Sequence, residues 1–413
     1  MIKISADLCA SCKGYKRLCG LDTCPLLLRY RSLYLSKQKI SSKELEGFTP
    51  PSGVVGEANY PNVSLIYSIP PDTSREKARV YDDPENWWGS LDLNDIISLR
   101  SDLVSGVLKV NVREPEKLLE KEISLALISD KPVESNILLK KIPRIKLRIV
   151  PFDAPRGLGA EAEKIDVVEN PSIPREINKI LWDDLRTSEA TVQLYNRGVS
   201  IYKIQRAFSL GLLGKYYRRL VPTRWAITAV DTIISLHLLR KVRNYDQISR
   251  GEFYKISYLG NNFWIFLLPG PYSFNWIEIW HPKTIYTESS SEPVIIVNTE
   301  DWRGEAEYMD GGYQAARLAV LEYLERIRRK ASILVVREIT PKYYAPVGNW
   351  HIRESVRRSF NNKPIEVSSM EEAYAYLSKD LSKEIMDEIL RSQKKLRLYK
   401  DLVNKKLDQY IKK

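Results

Sequence analysis

The sequence predicts an α+β protein: a mixed α/β body with a small cysteine-bearing head at the N-terminus and a long helix at the C-terminus. Three observations carry that prediction. All four cysteines of the 413-residue chain fall between positions 9 and 24. Stretches with the two-residue apolar period of strands then give way to stretches of helical period, and no longer repeat runs through them. From Ser368 onward a capping pattern opens a run whose apolar residues recur at helical spacing. With 44% hydrophobic and 10% aromatic residues, the chain can build two or three domains with cores of their own. Its apolar stretches at 263–268 and 226–239, the second broken by Asp231 and His237, fall short of the roughly 20 residues of a membrane helix. The opening residues lack a signal-peptide pattern. The expectation is an ordered cytoplasmic protein with no membrane partner.

The head comes first. Cys9, Cys12, Cys19 and Cys24 are spaced C-x2-C-x6-C-x4-C. Four thiolates this close can close a tetrahedral site around Zn²⁺, and a four-cysteine site leaves no open position, so the metal would be structural. Gly14 and Gly20 stand just after Cys12 and Cys19, where a tight ligand turn uses positive φ. An iron–sulfur cluster is the rival metal, and a pair of disulfides is the rival that an intracellular setting disfavours. Lys13, Lys16 and Arg17 lie between the cysteine pairs, so a rigid zinc knuckle would present cations to phosphates; a purely structural knuckle is the plain alternative.

A Pro/Gly-rich stretch at 49–61 reads as a connector. Strands are expected at 65–69, 107–112, 123–128 and 145–149, with Ile145, Leu147 and Ile149 alternating against Lys146 and Arg148. Helical spacing begins near Pro174 and returns over 199–213, with Gly214 as its stop. Three successive strands follow at 253–258, 262–268 and 276–280, then one at 294–297, an amphipathic helix at 315–330 and a buried strand at 333–339. Ser368 and Glu371 fit a capping box. Tyr374, Leu377, Leu381, Ile385 and Ile389 then make one apolar stripe of the long C-terminal helix.

Net charge is +12, but residues 1–40 carry +6 and residues 391–413 carry +7, which leaves the body at −1. Basic ends on a neutral body suit a polyanion, because Lys and Arg release counterions from phosphates. The alternative is that they only solvate the termini.

At this point the residues resemble a family. Leu8-Cys9-Ala10-Ser11-Cys12-Lys13-Gly14, Leu18-Cys19-Gly20 and Cys24-Pro25-Leu26-Leu27 resemble the opening of the archaeal Nre proteins. Leu220-Val221-Pro222-Thr223-Arg224-Trp225 through Asp231, Gly311-Gly312-Tyr313 and Val335-Val336-Arg337-Glu338-Ile339 are similar to later segments of that family. The resemblance implies a DNA repair factor with a zinc-finger-like head and a C-terminal motif that binds the sliding clamp, PCNA. It also implies four parts: a four-cysteine zinc-binding head at 1–30, an Nre N-terminal-type α/β domain at 31–285, an Nre C-terminal-type α/β domain at 286–390 and a basic helical tail at 391–413. The clamp motif, Gln-x-x-Leu-x-x-aromatic-aromatic, is matched by Gln393, Leu396 and Tyr399, while Lys400 stands where a second aromatic is expected. Such motifs press an aliphatic and an aromatic anchor into an apolar pocket. Leu396 and Tyr399 are also i, i+3 neighbours that could pack as an ordinary amphipathic helix.

Two further groups invite chemistry. Residues 215–225 interleave cations with aromatics, which suits base stacking and phosphate contact through Arg218, Arg219 and Arg224; the plain alternative buries the aromatics and leaves only the arginines outside. Asp231, in an apolar stretch, needs a partner if buried, and Arg224 is the candidate. Glu278, His281, Asp301, Arg303, Glu305, Glu307 and Asp310 form an acidic group that could hold a divalent metal, although their spacing matches no recognised metal signature. Arg224, Asp231, Asp301 and Glu305 are therefore the catalytic candidates. The leading expectation is a nucleoid-associated DNA repair factor that binds DNA and the clamp. The alternatives are a metal-dependent enzyme acting on nucleic acid or nucleotides, and an RNA-associated factor.

Overall fold

A computed structural model describes residues 11–18, 24–145, 154–214, 217–282, 284, 287, 290–301 and 303–392. Residues 146–149 of the expected strand, residues 1–10 and 19–23 of the cysteine head and the tail beyond 392 lie outside these residues. The chain divides into two compact units, one built from 25–149 and 154–234 and the other from 1–24, 150–153 and 235–413.

The first unit begins with helix α1 (Pro25–Gln38) and strands β1 (Glu44–Thr49), β2 (Gly53–Val55) and β3 (Asn62–Ile69). Helix α2 (Leu93–Asp102) and strands β4 (Val104–Asn111), β5 (Val133–Leu139) and β6 (Gly159–Val167) follow. The helices α3 (Arg175–Leu181), α4 (Thr187–Asn196), α5 (Ile201–Ser209) and α6 (Thr223–Val242) come next, and α6 runs past the division at Ile234. The sheet order is β1-β5-β6-β4-β3-β2; β4 and β6 run parallel and the other neighbours antiparallel. Alternation explains β3: Val63, Leu65, Tyr67 and Ile69 are buried while the residues between are less so. A reciprocal Asp92–Asp95 capping box starts α2, which packs against α1.

Two expectations change in this unit, and one glycine is explained. The stretch expected as a connector contains β2, because Gly53 and Val55 pair with Tyr67 and Leu65. Residues expected as a strand at 123–128 open with a one-turn helix, Ile123–Ala126. Gly157 is a glycine for close approach: a Cβ there would sit 1.7 Å from the Leu103 carbonyl oxygen.

The second unit holds strands β7 (Gly251–Tyr258), β8 (Asn261–Leu268), β9 (Ser273–Trp280) and β10 (Val294–Glu300). They are followed by α7 (Gly311–Ile327), β11 (Ser332–Ile339), α8 (Trp350–Ser359), β12 (Ile365–Val367), α9 (Met370–Asp380) and α10 (Lys383–Ser392). The order is β10-β9-β11-β8-β7-β12, with β9 and β11 parallel and the other neighbours antiparallel. Every residue of β9 and β11 is buried, which fits the apolar run Ile333, Leu334, Val335 and Val336 in β11. Met370, Leu377, Ile385 and Ile389 of α9 and α10 cover one sheet face through Trp264, Phe266, Ile277 and Val336. Helices α7 and α8 meet the other face, where Tyr313 packs edge-on against Phe274.

The long C-terminal helix is a correction. Its described part is two helices, because Leu381 turns extended between them and the Ser382 hydroxyl accepts the Ile385 N–H. The N-cap of the first is Ser369, one residue later than expected, and its hydroxyl accepts the Glu372 N–H. Among the described residues no helix is long and apolar enough to cross a membrane.

Candidate nucleic-acid interface

In the first unit, the backbone before α6 is fixed on both sides. Leu220 N–H donates to the Val112 carbonyl at 2.9 Å, and Val221 N–H to the Ser209 carbonyl at 2.8 Å. Gly211, at φ +67°, comes so near that a Cβ would lie 2.8 Å from the Arg219 carbonyl oxygen. Thr223 anchors the helix start: its hydroxyl accepts the Val55 N–H at 2.9 Å. Leu220 and Ala226 are buried.

This rigid segment turns its aromatics outward. Tyr217 is 85% exposed and Trp225 is 48% exposed. The Trp225 ring lies 5.9 Å from the exposed Tyr60 ring, and its indole N–H donates to Glu57 at 3.1 Å. Arg224 and Arg219 are exposed. Arg218 is half-buried, with its guanidinium 5.7 Å from the centre of the exposed Trp182 ring and donating to the Leu181 carbonyl. The result is a segment that bears exposed cations and open rings, the chemistry that stacks bases while holding phosphates. Arg224 reaches Glu57 rather than Asp231. Asp231 is buried further along α6 and accepts the Gln205 side-chain N–H at 2.9 Å. The two residues expected to pair therefore serve different places.

Of the cysteines, Cys12 and Cys24 are described, and Cys9 and Cys19 lie outside the described residues. The buried Cys12 sulfur accepts the Leu18 N–H at 3.4 Å. Positive φ at Lys13, Gly14 and Arg17 curls the chain around it. The Leu18 N–H chiefly, with those of neighbouring residues, holds the Cys12 thiol below its ordinary pKa against the opposing effect of burial. A sulfur set among N–H donors fits a metal ligand. Lys13, Lys16 and Arg17 are exposed around it. Among the described residues no group of three metal-ligating side chains converges.

The acidic group of the second unit is divided. Glu278 is buried near the end of β9 and pairs with Arg337 of β11 at 2.6 Å. Burial chiefly raises its pKa and nearby Asp310 adds to this, while Arg337 opposes it. A Cβ built on Gly312, at the start of α7, would lie 3.2 Å from a Glu278 oxygen. Asp310 caps that helix through the Gly312 and Tyr313 N–H groups. Asp301 and Glu305 are elsewhere. In the β9–β10 register Glu278 faces Ile296 and Glu300 faces Phe274, which puts Asp301 more than about 13 Å along the strand pair. Asp301 accepts the Arg303 N–H, and Glu305 is exposed.

His281 pairs with Glu338 at 2.7 Å. His351, unremarked in the sequence, completes the Glu278 cluster. The Gly348 carbonyl can only accept and the Arg337 guanidinium can only donate. His351 therefore carries its proton on Nδ1, 2.7 Å from Gly348, and receives Arg337 at Nε2, 3.3 Å away. Arg337 and Glu338 inside an otherwise apolar strand were the signal that partners must await them.

Models of two families match the chain. "Archaeal Nre, N-terminal" matches residues 18–287 and "Archaeal Nre, C-terminal" matches residues 300–410. "DNA repair protein NreA" of Archaeoglobus fulgidus is 40% identical over 379 residues, which cover 90% of this chain and 93% of that protein. "DNA repair protein NreB" of the same organism is 33% identical over 375 residues, 90% of this chain and 92% of its own. "DNA repair protein NreA" of Haloferax volcanii is 33% identical over 350 residues, covering 82% and 83% respectively. No solved structure matches the chain.

Proposed function

Because the chain belongs to the archaeal Nre family, we propose that it acts in DNA repair, in keeping with the names of its relatives, and that it contacts DNA directly. One observation carries the DNA-contacting part: Tyr217, Trp225 and Arg224 stand in solvent on a backbone segment that is otherwise pinned. A segment placed only for packing would turn its rings inward. Exposed rings beside Arg219 and Arg224 suit unstacked bases, while Lys13, Lys16 and Arg17 suit phosphates.

Cys9, Cys12, Cys19 and Cys24 would hold structural Zn²⁺, and the N–H environment of Cys12 supports that assignment. Bound zinc would fix the short head and hold its cations in place. Gln393, Leu396 and Tyr399 would engage the sliding clamp PCNA, raising the local concentration of the chain where DNA is being copied or mended. On this reading the protein works at the nucleoid.

The test is fluorescence anisotropy of the full chain with labelled single-stranded and duplex DNA. Affinity should fall steeply with salt, and Tyr217→Ala with Trp225→Ala should weaken single-strand binding at least roughly tenfold, since each stacked base is worth about 1–3 kcal/mol. An unchanged affinity in that variant would remove this face from the reading. Tighter binding to RNA of the same sequence would move the protein to RNA. Metal analysis should find one zinc per chain, absent in Cys9→Ser with Cys24→Ser. Leu396→Ala with Tyr399→Ala should abolish capture by immobilised clamp, and full capture would end the tether proposal.

A further inference from the structure

At the C-terminal end of α7, a cavity of about 730 Å³ is lined by Arg250 from the start of β7, Arg329 after α7, and Lys363 from the segment before β12, with Tyr323 as one wall. Tyr323 also walls an adjoining cavity of about 370 Å³, where the Arg326 guanidinium lies 5.3 Å from its ring centre. Cavities of this size accept a nucleotide unit.

The cations around these cavities are clustered. Several exposed cations of this unit meet carboxylates, as in Lys241–Glu325, Lys255–Asp380 and Arg391–Glu388. Arg250 is likewise paired with Glu366 at 2.5 Å. Among the described residues no carboxylate pairs with Arg326, Arg328, Arg329 or Lys363, and all four are exposed. Two acids line the larger cavity: Glu366 is the partner of Arg250, and one Glu252 oxygen accepts the Tyr254 and Tyr323 hydroxyls at 2.7 and 3.0 Å. In the adjoining cavity Glu322 and Glu354 pair with Arg357. Asp246 is a further exposed acid near this end. Cations on the last turn of α7 partly answer the helix dipole. Lys363 and Arg250 belong to other elements, so the dipole does not account for them.

We propose that this cavity and its unpaired arginines and lysine bind the phosphate backbone of a DNA strand, a contact separate from the aromatic face of the first unit. The proposal rests on the DNA-binding reading above. The strand's phosphates sit against Arg326, Arg329 and Lys363. They are held by charge and geometry and not by base identity, so the contact contributes affinity without sequence preference.

The experiment is the salt dependence of duplex DNA binding by the full chain, comparing wild type, Arg329→Ala with Lys363→Ala, Arg329→Lys with Lys363→Arg, and Tyr217→Ala with Trp225→Ala. Removing two phosphate contacts should make the slope of log affinity against log salt shallower by about 1.8, with affinity at low salt falling by roughly one to two orders of magnitude. The charge-conserving pair should keep the wild-type slope, and the first-unit variant should lose affinity with its slope nearly intact. Unchanged melting temperatures exclude misfolding. A wild-type slope in Arg329→Ala with Lys363→Ala overturns this site while leaving the DNA reading in place. Absence of salt-dependent binding in the wild type overturns both. Tighter, equally Arg329-dependent binding to RNA overturns DNA as the occupant.

Discussion

Each unit contains an arginine–glutamate pair, and the two pairs could hardly be less alike. In the second unit Arg317 meets Glu300 at 2.7 Å with side chains 1% and 0% exposed. In the first unit Arg224 meets Glu57 at 3.7 Å with side chains 81% and 46% exposed. The difference extends beyond these residues. The interior of the second unit holds Glu278–Arg337–His351 and the Tyr272–Glu300–Arg317 chain. Buried polar contacts of the first unit include hydroxyl pairs such as Tyr67–Ser135 and Ser68–Ser105. Trp182 and Trp225 of the first unit stand in solvent although its Trp87 is buried, while Trp264 and Trp276 of the second unit are buried. The same residue types are buried bracing in the second unit's interior and stand in solvent around Arg224 in the first.

The comparison breaks first at Arg317. Arg317→Met leaves Glu300 buried with the Tyr272 hydroxyl as its remaining partner, and an uncompensated buried charge costs about 3–5 kcal/mol. Urea unfolding followed by tryptophan fluorescence should show that loss, and Glu300→Leu added to Arg317→Met should recover most of it. A loss below about 1 kcal/mol would mean that water reaches the pair. Tryptophan gives a parallel contrast. Trp276→Ala empties a fully buried site and should cost about 3–5 kcal/mol, whereas Trp225→Ala should cost under about 1 kcal/mol because half its surface is already wet.

A smaller effect follows from His351. Burial, then the Arg337 charge, depresses its pKa to about 3. Below its ordinary value near 6.5 the unfolded chain takes up a proton that the folded chain refuses, so stability is full above that pH and declines as pH falls toward 3. Between pH 7.5 and 5.5 this one residue should remove about 1.4 kcal/mol. Glu278, whose pKa burial raises, acts in the opposite sense, and His237, also lowered, acts in the same sense; both are common to wild type and His351→Gln. The difference between the two proteins in urea titrations at the two pH values therefore isolates His351. A constant difference would refute its buried neutral state.

Legibility in the sequence follows the same division. Strands β8 and β11 could be read because an apolar run bounded by turns signals a strand buried on both faces, and β7 and β9 because the turns at 260–261 and 269–270 set them off. The helix α8 could not, since its buried positions include His351, Arg353, Glu354 and Ser355 and leave no apolar stripe to find. The run at 123–128 misled for the converse reason: apolar neighbours buried all round carry no period, so helix and strand look alike. The break at Leu381 was hidden because Leu377, Leu381, Ile385 and Ile389 keep helical spacing across it. At the interface, the cation–aromatic run around Arg224 was visible. Its exposure was not, nor was the company of Glu57, Tyr60 and Trp182, which the fold alone brings near.

The smallest expected effect sharpens the comparison most. Arg224→Ala removes a long ion pair held in water, where Coulomb attraction is screened and two flexible side chains must be ordered to make it. The change in folding stability should stay within about 0.5 kcal/mol. Glu57 keeps the Trp225 indole N–H as a partner, so the acid is not stranded as Glu300 would be. If Arg224 serves DNA, the same substitution should weaken binding and make the salt slope shallower by about 0.9, the signature of one lost phosphate contact. Urea unfolding and anisotropy on one preparation read both quantities. A marked stability loss with unchanged DNA affinity would make Arg224 a brace like Arg317, and the contrast between the two units would fail at its most exposed point.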